Sequence, residues 1–301
     1  PLYGGPTRYE ISPSASRSTS FVIIMFAKKS LGQHFLRSRA ALEKIAAAPA
    51  LTPTDVVLEV GPGEGALTVL LLERAGKVVA VEKDARLIPI LQEKFAREIA
   101  AGKLGLVHAD ILEIKTPQMF RKTAPDVDGL QTSGAVFPAA AYKIVANLPY
   151  YITGQFLRKF LQTETQPSMM VLLLQREVAK RITATDKKES ILSLSVKCYG
   201  APRYITTVKA GSFSPPPKVD SAILAIEDIS KDFFTGGGVV FSEETFFTII
   251  KKGFAHPRKL LSNNLDISAS VLEQCGIHAR ARAENVSLEQ WKCIASASRS
   301  A

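Results

Sequence analysis

Two clusters in this sequence carry residue types and spacings suited to chemistry. The first is Gly61-Pro62-Gly63-Glu64-Gly65, which follows the apolar run Val56-Val57-Leu58-Glu59-Val60 without a break. Glycines at alternate positions let a chain turn tightly and approach a ligand where a Cβ would clash. At the carboxyl edge of a strand, such a loop lies in the usual binding crevice of an open α/β sheet. Its GxGxG spacing differs from the GxGxxG dinucleotide fingerprint, and alone it is explained equally well by a structural turn. Two acids alter that balance. Glu82 closes the second strand pattern, 21 residues beyond Gly61, where a carboxylate can accept hydrogen bonds from both hydroxyls of a ribose. Asp110 follows the third, in Val107-His108-Ala109-Asp110-Ile111, placed to accept from an adenine amine. An acidic site with no Lys or Arg in its loop disfavours a phosphate-rich cofactor and suits a cationic sulfonium nucleoside.

The second cluster, Asn147-Leu148-Pro149-Tyr150, ends the fourth strand pattern. Proline fixes the backbone so that the Leu148 carbonyl can face the crevice instead of continuing a ladder. That carbonyl and the Asn147 side-chain oxygen make two acceptors for an exocyclic amine. Accepting its hydrogens pulls electron density onto the nitrogen and orients the lone pair toward an electrophilic methyl group. The chemistry is an in-line displacement driven by positioning and electrostatics. It needs no strong general base, because the nitrogen becomes acidic only once alkylated.

The elements that must position these clusters are legible in the hydrophobic pattern. Val56–Val60, Val78–Glu82, Leu104–His108, Tyr142–Ala146 and Met169–Leu174 read as buried strands. Between them, Leu67–Arg74, Leu87–Ala100 and Gln155–Leu161 space their apolar residues as helices do. Strand and helix in alternation predict a parallel, doubly wound sheet. Tyr204–Val208 and Ala222–Ile226, joined through a Pro-rich turn, predict an antiparallel hairpin at its edge. The Pro-, Gly- and Ala-rich stretch 115–141 reads as a long surface insertion. Residues 1–24, rich in Ser and without a helical or strand period, read as a disordered extension, with Met25 resembling a natural start. The expected division is 25–230 as the sheet domain and 239–301 as a small all-helical C-terminal domain, joined through Gly236-Gly237-Gly238.

Composition bounds the function classes. Hydrophobic residues make up 46% and charged residues 22% of the 301, which predicts a packed core. No apolar run approaches the roughly 18 residues of a spanning helix, so we expect a cytoplasmic protein with no membrane partner. Cys198, Cys275 and Cys293 show no CxxC or Cys/His ligand spacing, so neither a disulfide nor a metal is expected. The net charge of +10 suits a polyanionic partner, and most of the excess lies in residues 1–230, with 29 basic and 21 acidic residues.

With these motifs in this order, the chain resembles the ribosomal RNA adenine dimethyltransferase family, enzymes that dimethylate two adjacent adenosines near the 3′ end of small-subunit rRNA. The resemblance spans roughly residues 28–264 and includes two further motifs, Leu31-Gly32-Gln33-His34-Phe35-Leu36 and Phe213-Ser214-Pro215-Pro216-Pro217-Lys218-Val219-Asp220-Ser221. It implies a class I S-adenosylmethionine-dependent methyltransferase, with a Rossmann-like doubly wound sheet. It also implies cofactor contacts from His34, Leu36, Gly61, Gly63, Glu82, Asp110 and Asn147. His34 stands where the family usually has Asn, and its ring can still donate one hydrogen bond to the cofactor carboxylate. The catalytic set would be Asn147, Leu148, Tyr150 and Phe213, the two aromatic residues sandwiching the target adenine once it leaves its stack. The segment 251–264, read as a helix, resembles the family's basic C-terminal signature and would bring Arg258 and Lys259 to RNA phosphates.

The implied partner is small-subunit rRNA within an assembling ribosomal subunit, engaged by a monomer. A related class acts on large-subunit rRNA and shares the glycine loop and both turns, but the Arg258-Lys259 region favours the small-subunit reading. A DNA adenine methyltransferase would need a recognition domain that the length does not accommodate. A non-catalytic binding factor on the same fold is the alternative of a different kind, and intact Gly61, Glu82, Asp110 and Asn147 count against it.

Overall fold

Runs of β-branched residues with no polar face need covering on both sides, which a sheet between two layers of helices supplies. The computed structural model describes residues 33–114, 132–133, 141–236 and 241–297. Eight strands form the main sheet: β2 (Val56–Val60), β3 (Lys77–Glu82), β4 (Leu104–His108), β5 (Thr132–Ser133), β6 (Tyr142–Asn147), β7 (Met169–Gln175), β8 (Ala201–Val208) and β10 (Ser221–Glu227). Their order is β5-β4-β3-β2-β6-β7-β10-β8. The β4-β3-β2-β6-β7 block is parallel throughout, and β10 and β8 add antiparallel to β7. The doubly wound sheet and its terminal hairpin are therefore as the pattern predicts. A separate two-stranded ribbon pairs β1 (Phe35–Leu36) with β9 (Phe213–Ser214), which no periodicity announced.

The period of two sorts residues between the faces. On one face Leu58, Val60, Val79 and Val81 join a buried cluster with α5 (Thr153–Gln162). On the other, Val57, Val78 and Ala80 pack with α1 (Arg39–Ala47), α2 (Ala66–Arg74) and α3 (Ile88–Lys94). The expected helix 87–100 is two, because Phe95 leaves helical geometry at φ −113° between α3 and α4 (Ala96–Ala100) and buries its ring against Gly65. Two short helices beyond β7, α6 (Arg176–Thr183) and α7 (Ile191–Lys197), were not anticipated; a Ser190/Ser193 capping box starts the second. The first cluster continues without a break into Phe246, Ile250, Leu261 and Trp291 of the C-terminal helices.

Beyond α8 (Asp232–Thr235) the described chain is helical, as expected: α9 (Glu243–Gly253), α10 (Leu261–Leu265), α11 (Ala269–Gln274) and α12 (Leu288–Ala297). Two expectations fail here. Segment 251–264 is not one helix: α9 ends at Gly253, and Arg258 and Lys259 lie in a turn before α10. Pro257 lacks an N–H and disfavours helical geometry at His256. The Asn264 amide then donates to the freed carbonyls of Gly253 (2.6 Å) and His256 (3.1 Å). Cys275 and Cys293, expected as free thiols, form a disulfide with Cα atoms 5.6 Å apart. The bridge joins the end of α11 to α12, whose packing brings together two cysteines 18 residues apart; Cys198 is free and buried. The 1–24 extension lies outside the described residues, as does nearly all of 115–141, of which Thr132 and Ser133 pair antiparallel with β4.

Candidate active site

The glycine loop leaves β2 at the carboxyl edge of the sheet, and backbone geometry explains its composition. Gly61 and Gly63 have φ of +69° and +59°, values that favour glycine. A Cβ on Gly63 would stand 3.1 Å from the Phe35 ring, and one on Gly61 3.4 Å from the Asn147 carbonyl oxygen. The loop, the ends of β3 and β4, the turn after β6, the β1 segment and Phe213 line one cavity.

Glu82, 6% exposed, anchors that cavity. Its Oε2 accepts from the Gly63 N–H (3.1 Å) and its Oε1 from the Asp84 N–H (2.8 Å), so the carboxylate is held rigid. Burial pushes its pKa upward and the Asp84 charge adds to this, opposed in part by those two N–H groups and that of Lys83. Behind it, Glu59 on β2 is fully enclosed, and neither carboxyl oxygen makes a satisfactory hydrogen bond among the described residues. Burial raises Glu59 to about 8 and the Glu82 charge adds to this, while the Thr68 hydroxyl and Lys94 oppose it only in part. Glu59 is therefore neutral at pH 7 and spares Glu82 a second negative charge.

Asp110 behaves differently. Its Oδ2 takes an ion pair from Lys83 (2.5 Å) and its Oδ1 accepts from the Leu112 N–H (2.9 Å). Burial would raise it, but these partners outweigh burial and hold the carboxyl below its usual range. Lys159 on α5 clasps the carbonyls of Leu112 and Ile114 and fixes the loop that carries Asp110. Sequence reasoning missed the Lys83 pairing, although Lys83 directly follows Glu82. It also missed Asp84, held at about 2 chiefly by its hydrogen bond from Arg86 and bonded as well to Gln33 (2.8 Å).

In the turn after β6, Asn147 Nδ2 donates to the His34 carbonyl at 3.3 Å, which orients the amide and leaves Oδ1 facing away from that bond. Leu148 buries its side chain in the core and ties its N–H to the Leu173 carbonyl, and unlike Asn147, Pro149 and Tyr150 it is not among the residues that line the cavity. Tyr150 is pinned through its hydroxyl to Ser221 (2.7 Å), and its ring stacks on His34 with centroids 6.1 Å apart. Phe213, 5% exposed, both joins the core and lines the cavity. Leu36 is its partner across the β1–β9 ribbon, which brings together two motifs 177 residues apart.

His34 Nδ1 lies 2.8 Å from the Pro215 carbonyl, which can only accept, so Nδ1 carries a proton. A neutral His34 therefore presents an acceptor at Nε2, and donation to a carboxylate requires the doubly protonated ring. Arg258 and Lys259 are exposed and do not line this cavity.

Together the residues fit a sulfonium nucleoside. The glycine loop lines the cavity, and a carboxylate held rigid by backbone N–H groups lines it from β3. Among the described residues no group of three His, Cys, Asp or Glu is placed to hold a metal. Fold and cavity define a class I S-adenosylmethionine-dependent methyltransferase.

The family profile described as ribosomal RNA adenine dimethylase matches residues 25–298, and the chain belongs to that family. It is 43% identical over 274 residues to the ribosomal RNA small subunit methyltransferase A of Dehalococcoides mccartyi (strain CBDB1), covering 88% of this chain and 86% of that protein. The protein of that name from Synechococcus elongatus is 37% identical over 280 residues, covering 89% and 93%. In fold, the chain is similar to a dimethyladenosine transferase from Plasmodium falciparum, with TM-score 0.69 and 23% identity over 87% of this chain and 96% of the other. The 23S rRNA methyltransferase ErmE is likewise similar, with TM-score 0.66 and 24% identity over 87% and 98%.

Proposed function

We propose that this enzyme dimethylates the N6 amines of two adjacent adenosines near the 3′ end of small-subunit rRNA, acting as a monomer on an assembling ribosomal subunit. The observation that carries the proposal is the Asn147 amide. With Nδ2 committed to His34, its oxygen is the acceptor available to an amine entering the cavity. The Leu148 carbonyl supplies the second acceptor. S-adenosylmethionine, when bound, supplies an electrophilic methyl group. Glu82 receives the ribose hydroxyls, Asp110 an adenine amine, and Gly61 and Gly63 line the methionine end, bordered by His34 and Leu36. Tyr150 and Phe213 hold the flipped base between their rings. Residues 25–230 form the catalytic unit, and 239–301 form a helical unit that presents Arg258 and Lys259 to phosphates.

The closest competing substrate is large-subunit rRNA, and the small-subunit names of the relatives favour the proposal. The purified protein should transfer methyl groups to small subunits taken from cells lacking this modification. Four methyl groups per subunit, on two neighbouring adenines, is the expected result, and methylation confined to large-subunit RNA refutes the reading.

A further inference from the structure

The segment Gln33–Ser38 lies across the cavity as a strap. Gln33 donates to Asp84 (2.8 Å), the His34 carbonyl accepts from Asn147 (3.3 Å), and the Arg37 and Ser38 N–H groups both donate to the Ser212 carbonyl (2.8 and 3.3 Å). The Phe35 ring rests on Gly63, where a Cβ would stand 3.1 Å from the ring and force it to shift. The strap thus touches both halves of the site, the cofactor loop beneath it and the Phe213 turn beside it.

One contact stands outside the resemblance noted above. Arg37 places both terminal nitrogens on the Glu64 carboxylate, at 2.5 and 3.1 Å, and Arg37 and Glu64 both line the cavity. Two parallel N–H bonds fix a guanidinium in direction as well as distance. The Glu64 side is itself held in place. Its backbone carbonyl accepts from Lys94 Nζ at 2.7 Å, which ties the loop to α3. The Arg37 guanidinium also covers the Phe35 ring at 5.7 Å, so one side chain braces the strap's aromatic contact and its ionic one. Gly63, the residue Phe35 covers, precedes Glu64, so the ion pair closes a short circuit of contacts around the loop.

We propose that the Arg37–Glu64 pair is a latch: it holds the strap down on the glycine loop and sets how long the cofactor stays bound. Arg37 and Glu64 are positioning residues in this scheme, acting through Phe35, His34 and Leu36. The proposal rests on the reading of the cavity as the S-adenosylmethionine site. Because Arg37 is 52% and Glu64 26% exposed, the latch is screened by salt and its effect is moderate.

The test uses the full chain and S-adenosylhomocysteine, with Arg37→Ala, Glu64→Ala and the double swap Arg37→Glu/Glu64→Arg. Each single variant should release the ligand about two- to fivefold faster than the parent. In the absence of ligand, each should also speed hydrogen exchange at the Arg37 and Ser38 amides. The swap should return both readouts toward parental values, and high salt should narrow the gap between parent and single variants. Unchanged release and exchange in both single variants overturns the latch, as does a swap that behaves like the singles. A parent protein that binds no S-adenosylhomocysteine refutes the cavity reading itself, a different failure from a parent that binds and variants that match it.

Discussion

Glu59→Gln isolates the effect of one buried carboxyl on the pH dependence of stability. Glu59 titrates at about 8 in the folded protein, against an ordinary value of 4.5. Between those pH values the folded chain holds a proton that the unfolded chain has released, so stability falls as pH rises. A single proton gives a slope of about 1.4 kcal/mol per pH unit. Over the whole window the loss is on the order of 5 kcal/mol, which is comparable to the total stability of many domains. The stabilisation from the proton is complete below pH 4.5 and gone above about 8. Glutamine keeps the shape and cannot ionise. Its amide exchanges the carboxyl for a permanent donor beside the Thr68 hydroxyl, a change that shifts the curve without tilting it.

The assay is denaturant unfolding of parent and variant at intervals from pH 5.5 to about 8.5, with the difference in stability plotted against pH. Other titrating groups cancel in the difference, so the expected plot moves steadily in favour of the glutamine variant as pH rises. S-adenosylhomocysteine affinity of the parent should change above about pH 8 as Glu59 gains charge behind Glu82, while the variant stays level. A flat difference plot would refute the assignment of a neutral carboxyl to this position.

Asn147→Ala should slow single-turnover methylation at saturating cofactor by roughly 100–1,000-fold with rRNA binding retained, the effect typical of removing one preorganised polar group; near-normal rates would remove Asn147 from the mechanism. Arg258→Ala with Lys259→Ala should weaken rRNA binding and lower its log–log salt slope by roughly 0.7–0.9 for each phosphate the protein no longer neutralises, leaving S-adenosylhomocysteine affinity intact. An unchanged slope would make the turn after α9 a solvated surface. Reducing the Cys275–Cys293 bridge, which closes a loop of 18 residues, should cost about 3 kcal/mol in chemical denaturation. The double Cys→Ser variant should match the reduced protein and ignore reductant.

Much of this protein was written in local pattern. Five parallel strands, the glycine loop and the terminal hairpin were legible because each depends on a few neighbouring residues: a period of two, a glycine where φ is positive, a proline that ends a ladder. The acids at the ends of β3 and β4 were legible for the same reason, since alternating strands and helices place consecutive strand ends along one edge. Partnership was not legible. Nothing near Asp110 marks it as the partner of Lys83, and nothing near Asn147 marks the His34 carbonyl, 113 residues away, as the group that orients its amide. The ribbon joining Leu36 to Phe213, the Arg37–Glu64 pair and the Cys275–Cys293 bridge have the same origin. Hydrogen bonds, ion pairs and disulfides act over a few ångströms, and which side chains come that close is settled by how strands order themselves and helices pack. The neutrality of Glu59 belongs to the same class: a carboxyl in a strand pattern has an ordinary pKa until α2 and α3 close over it and exclude water.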